Sequence, residues 1–108
     1  MLTAEIHQQG LAAARKATEG YLAKYGDGYP CGFAWVTAHV KGNTKLGKSY
    51  IAQGFSKAYG GGYQFWNPSG HHTQNVDAKD AGAAAYVQVI REAGVGGADR
   101  VYSNSRLD

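Results

Sequence analysis

Cysteine occurs once in this chain, at Cys31, and proline only twice, at Pro30 and Pro68. A single cysteine excludes an intramolecular disulfide and any multi-cysteine metal site, which suits a reducing compartment and makes a cytoplasmic location the expectation. Charge of one sign is also missing. Eleven Lys and Arg residues against eight Asp and Glu leave a net charge of +3. They are scattered along the chain instead of gathered into the dense stripe of a dedicated nucleic-acid binder. That balance mildly favours anionic partners. No apolar run approaches the ~20 residues that cross a bilayer, and the start Met1-Leu2-Thr3-Ala4-Glu5-Ile6-His7 lacks the basic-then-apolar pattern of a leader. No membrane partner and no secretion are expected.

Low hydrophobicity and high charge, the marks of a disordered chain, are absent too: 44% of residues are hydrophobic and 18% charged. At 108 residues the chain has the size of one domain, able to hide about two thirds of its unfolded surface, so a single domain over residues 1–108 is expected. What stands out is sixteen glycines and eight tyrosines. Glycine marks tight turns and close backbone approach, and tyrosine offers a flat apolar face with a polar tip. The mixture suits a ligand pocket or an adhesive interface.

Along the chain, Ile6, Gly10, Ala13, Ala14, Ala17, Tyr21 and Tyr25 recur at helical spacing in an Ala-rich segment, which predicts a helix over about 3–25. Gly26-Asp27-Gly28-Tyr29-Pro30 is its stop signal. From Cys31 to Lys41 the pattern is a strand, with Ala34, Val36, Ala38 and Val40 on one face and Phe33, Trp35, Thr37 and His39 on the other. Asn43 or Thr44 then caps a short helix carrying Leu46, Tyr50 and Ile51, closed by Gly54. Phe55 to Tyr59, Gly60-Gly61-Gly62 and Tyr63 to Asn67 form a hairpin. Asn75 or Asp77 caps a helix bearing Ala81, Ala85, Tyr86, Val89, Ile90 and Ala93, and a last strand runs over Ala98 to Ser105. The fold expected is α+β, a ferredoxin-like split β-α-β-β-α-β core over about 31–107 with an additional N-terminal helix.

Three features bear on chemistry. Gly42-Asn43-Thr44-Lys45-Leu46-Gly47-Lys48-Ser49 satisfies G-x-x-x-x-G-K-[ST] between a strand and a helix. A nucleotide-hydrolysing P-loop, however, sits in a large parallel sheet that a chain of this size has no room for, and no apolar strand ends in a metal-holding Asp. The motif therefore reads as a capped helix start, or as an anion site in which Lys45, Lys48 and Ser49 bind phosphate near the helix N-terminus. The second feature is the loop from Gly60 to Asn75, where Tyr63 or Trp66 would stack on a base and Asn67, Ser69, His72 and Asn75 would orient it; the bland alternative is core aromatics and an ordinary polar connection. His71-His72 lacks a third ligand at metal-binding spacing, so no metal is expected. Cys31 reads as a small buried hydrophobe before it reads as a nucleophile, and Asp77 and Asp80 are explained by capping. The third feature is the large face of the first strand. Phe33, Trp35, Thr37 and His39, with Tyr63 and Phe65 beside them, would stack bases if bare. Coverage by the N-terminal helix or by a second copy is favoured, since apolar faces of this size rarely stay bare.

Pro30-Cys31-Gly32-Phe33-Ala34-Trp35-Val36, Trp66-Asn67-Pro68-Ser69-Gly70, Asp77-Ala78-Lys79-Asp80-Ala81-Gly82 and Ser105-Arg106-Leu107-Asp108 resemble a group of small tailed-bacteriophage accessory proteins of unassigned function. The resemblance spans most of the chain from Pro30 onward. It implies a phage protein in the host cytoplasm, of a class that includes sponges for nucleotide immune signals, and it brings no catalytic residue or cofactor.

The leading expectation is a non-enzymatic, homo-oligomeric binding protein for a small anionic, nucleotide-like ligand, without a cofactor. The alternatives are a single-stranded nucleic-acid binder using the Phe33/Trp35 face and a protein inhibitor of a host enzyme.

Overall fold

The computed structural model describes residues 1–28 and 30–108; Tyr29, part of the expected stop signal, lies outside the described residues. Helix α1 (Ala4–Tyr25) begins at Thr3, whose hydroxyl accepts from the Ile6 N–H at 3.2 Å, and ends at Gly26, where φ is 82°. Strand β1 (Gly32–Ala38) follows, then α2 (Lys45–Ala52), β2 (Ser56–Lys57), β3 (Tyr63–Trp66), α3 (Val76–Glu92), a 3-10 turn (Ala98–Arg100) and β4 (Val101–Leu107). The four strands form an antiparallel sheet in the order β2-β3-β1-β4. The chain is thus α+β, a helical layer on a single sheet.

Two further caps start the other helices. Thr44 Oγ1 accepts from Gly47 N–H at 3.0 Å and Asn75 Oδ1 accepts from Ala78 N–H at 2.9 Å, each satisfying one orphan donor of a first turn. The expected strand from Phe55 shrinks to two residues because Phe55 N–H closes the end of α2 on Tyr50 O, sending its ring into the core. The last strand starts later and runs further than Ala98–Ser105, because Gly97 at φ 74° turns Ala98–Arg100 into a 3-10 coil first.

Strand alternation sorts the sheet into two unlike faces. Ala34, Val36 and Ala38 are buried, and the register places Phe65 beside Val36 and both Tyr63 and Val101 beside Ala38. Tyr63 and Phe65 therefore belong to the core face, a correction to their expected place beside Phe33 and Trp35. It follows from the pairing of Trp35 with Trp66, which puts Gln64 and Trp66 on the outer face instead.

All three helices pack on the core face. Tyr86 of α3 stacks on Phe65 at 6.1 Å, His7 of α1 meets the same ring edge-on at 5.1 Å, and Tyr50 of α2 meets Phe55 edge-on at 5.2 Å. The N-terminal helix thus does not cover the Phe33/Trp35 face, which overturns the first of the two covers expected for it. It lies along α3 because its buried stripe is His7, Gly10, Ala14 and Thr18. A Cβ at Gly10 would come within 2.6 Å of the Tyr86 ring, and one at Gly82 within 2.5 Å of Thr18 Oγ1. The buried polar groups of α1 find partners on α3: Thr18 Oγ1 donates to Ala78 O at 2.7 Å, and His7 Nδ1 lies 2.6 Å from the Tyr86 hydroxyl.

Burial lowers the His7 pKa below 6.5, keeping the ring neutral in the fold. An unfolded chain takes up this proton first, so stability is present above pH 6.5 and is lost as pH falls from there toward the lowered folded value. Asp80, raised above 3.8 by burial and by Asp77, acts with the opposite sign from pH 3.8 upward. Urea midpoints are expected to fall between pH 7 and pH 6, and a His7→Gln chain to be flatter over that interval; equal slopes would place the titration elsewhere.

Candidate functional site

With every helix on one side, the outer face of the sheet is open. β1 contributes Phe33, Trp35 and Thr37, with His39 just beyond its end; β3 contributes Gln64 and Trp66, and β4 contributes Tyr102, Asn104 and Arg106. Trp35 and Trp66 stack at 4.8 Å and 28° between planes, and Phe33 meets Trp66 edge-on at 6.1 Å. Trp66 remains 43% exposed and Tyr102 47%. A second aromatic group lies toward the other end of β1, where His39 and Tyr102 are 6.0 Å apart. From Trp35 to His39 is four strand residues, about 13 Å.

Between the two groups the surface is polar. Asn104 Nδ2 donates to Thr37 Oγ1 at 2.9 Å, which leaves Asn104 Oδ1 as an acceptor facing out with Gln64 nearby. The face forms a groove of about 470 Å³ that reaches the Ala58–Gly61 turn, where Tyr59 is fully exposed. Among the described residues lining it none is acidic, while Arg106 supplies a cation. Arg106 lies 5.6 Å from the Phe33 ring centroid, and Lys79 approaches the same ring at 5.4 Å while donating to Gly32 O at 2.9 Å. Flat apolar rings, amide and hydroxyl groups and a cation without a carboxylate form a surface for planar, hydrogen-bonding, negatively charged chains.

The residues expected to act together from the sequence stand in three places. Trp66 is on the open face. Lys45, Lys48 and Ser49 are on α2, on the helix side, and the Ser49 hydroxyl is engaged there, donating to Leu46 O at 2.6 Å and accepting from Leu2 N–H at 3.0 Å. Tyr63 is near them, its hydroxyl filling the space a Cβ on Gly42 would need. In the loop before α3, Ser69 Oγ donates to Asn67 Oδ1 at 3.1 Å and Asn67 Nδ2 to His71 O at 3.1 Å. Asn75 is buried as the α3 cap, and His72 is exposed. The rings of His71 and His72 stack at 4.6 Å, and Thr73 N–H donates to His71 Nδ1 at 3.0 Å. Among the described residues no three His, Cys, Asp or Glu side chains gather as a metal site, and no helix is long and apolar enough to cross a membrane.

Sequence reading found Phe33, Trp35, Thr37 and His39 from their alternation but missed Tyr102, Asn104 and Arg106. No local pattern marks them, because Ser103 to Arg106 are polar on both faces of the strand; their place follows only from the pairing of β4 with β1. No family model, no curated protein and no solved structure matches this chain.

Proposed function

We propose that this chain binds single-stranded nucleic acid by stacking bases on the open sheet face. The observation that carries this is the Trp35–Trp66 stack, half-buried at Trp35 and 43% exposed at Trp66, on a face that no helix covers. Base–aromatic stacking needs no particular base, since every base has a π-face, and the face offers two aromatic groups about 13 Å apart, room for two or three bases. Thr37, Asn104 and Gln64 between them suit base edges, and Arg106 suits a phosphate. The sheet order read from its other edge, β4-β1-β3-β2, supports a ferredoxin-like split β-α-β-β-α-β core, with β3 between β1 and β2 and β1 between β3 and β4. Four-stranded RNA-binding sheets work with such an exposed face. The resemblance to small phage proteins assigns no activity, so the proposal rests on geometry.

Both tryptophans of the chain lie on this face, so tryptophan emission reports on it alone. Titration with an eight-nucleotide oligo-dT or oligo-U is expected to quench tryptophan emission, and a mononucleotide to do so far more weakly. With Arg106 as the cation lining the groove, log Kd against log salt is expected to have a shallow slope of about 0.7 to 1.4, one or two phosphates neutralised. Absence of quenching by both oligonucleotides removes the proposal; equal quenching by the mononucleotide favours a small nucleotide-like ligand instead.

A further inference from the structure

Strand β4 is an edge of the sheet, and its outward side is left open over a short, symmetric stretch. His39 N–H donates to Arg100 O and Asp108 N–H to Cys31 O, so the even-numbered residues of β4 direct their backbone groups at β1. In an antiparallel ladder the odd-numbered ones then direct theirs away. Val101 is already satisfied: its N–H donates to Ala98 O, and its carbonyl accepts from the Arg91 guanidinium at 2.7 Å. That leaves Ser103, Ser105 and Leu107, each with a free N–H and C=O and no hydrogen bond on that side among the described residues.

Natural sheets blunt such an edge with proline, lysine, a bulge or a covering segment. From Val101 to Leu107 there is no proline or lysine, Arg106 is the one charged side chain, and the register with β1 runs without a bulge. Beside the edge lies a groove of about 290 Å³ lined by Ala84, Val87, Gln88 and Arg91 of α3 and by Tyr102 and Ser103. A segment pairing with this edge would run along that groove.

We infer that the occupant is β4 of a second copy, paired antiparallel about a two-fold axis at Ser105. Three open residues centred on Ser105 are their own complement. Ser105 faces its twin, and Ser103 faces Leu107 of the other copy on both sides of the axis, giving six backbone hydrogen bonds with none of the free groups left over. The same register sets Asn104 opposite Arg106 of the other copy. Asn104 Nδ2 is committed to Thr37 Oγ1, so its Oδ1 is the acceptor an arginine requires. A two-fold normal to the sheet joins the two sheets edge to edge into eight strands and leaves both open faces on the same side. Single strands on the two faces run in opposite directions.

Sedimentation equilibrium from micromolar to millimolar chain should show the mass rising toward twice the 11.5 kDa of one chain. Ser105→Pro removes an outward N–H that the β1 ladder does not use and should hold the chain monomeric with an unchanged circular dichroism spectrum. Ser103→Lys tests the same edge without a proline and should do likewise. In hydrogen exchange, the N–H groups of Ser103, Ser105 and Leu107 should slow at least tenfold between the dilute and concentrated wild type. A wild type that stays monomeric throughout overturns the inference. So does a dimer that both substitutions leave intact, or one that leaves these three amides in fast exchange. If Trp66→Ala abolished dimerisation while Ser103→Lys did not, the copies would meet through the aromatic face. Failure of oligonucleotide binding alone leaves this edge pairing unaffected.

Discussion

Replacing Trp66 with alanine is expected to weaken oligonucleotide binding by about 5- to 150-fold, the equivalent of the ~1–3 kcal/mol that one stacked base contributes. Trp66 stacks on Trp35 and meets Phe33 edge-on, yet 43% of it faces solvent, so the substitution takes away a base platform without opening a hole in the core. Thermal unfolding should therefore move little. Affinity is best followed by anisotropy of a labelled oligonucleotide, because the substitution also removes a fluorophore. Trp66→Phe should recover part of the loss, since a smaller ring still stacks. An affinity unchanged in Trp66→Ala would mean that the strand, if bound, lies elsewhere. Arg106→Gln is the useful companion: it should lower the salt slope by about 0.7 and leave the stacking quench in place.

Alanine at Tyr86 is expected to cost about 3–5 kcal/mol, a large share of the 5–15 kcal/mol that holds a typical domain folded. Tyr86 is fully buried and sits where α1 and the sheet meet α3: it stacks on Phe65, faces Phe55 at 6.2 Å, fills the space over Gly10 and bonds His7. The same burial raises its phenol pKa strongly and pushes that of Tyr50 up to about 12, so neither ionises near neutral pH. Tyr86→Phe separates packing from hydrogen bonding. It keeps the ring and leaves His7 Nδ1 without its partner, an expected loss of about 1–3 kcal/mol. Urea unfolding followed by circular dichroism reads both. A loss below 1 kcal/mol for Tyr86→Ala would show that α1 is not held through this ring.

The elements that the sequence predicted well are those built from neighbours. Thr44 and Asn75 cap helices through donors three residues on, and the alternation from Phe33 to His39 sorts a strand into two faces with no knowledge of what pairs with it. What escaped depends on distant partners. His7 and Thr18 look like solvent-side residues of α1 until Tyr86 and Ala78 are brought to them from 79 and 60 residues away. The stripe on α1 requires some partner, but nothing local says whether that partner is the outer face of the sheet or α3; the close approach at Gly10 and Gly82 decides it. The Gly42–Ser49 motif shows the same limit. Its helix start was correctly placed, whereas the hydroxyl expected on a phosphate accepts instead from Leu2 N–H, 47 residues away.

One-sided layering separates what folds the chain from what it presents. Trp66, Tyr102, Asn104 and Arg106 contribute little to the buried cluster, so these positions can be exchanged together without emptying the core. The sheet is in effect a display platform, and a library varied at those four positions should stay folded while its members diverge in what they hold.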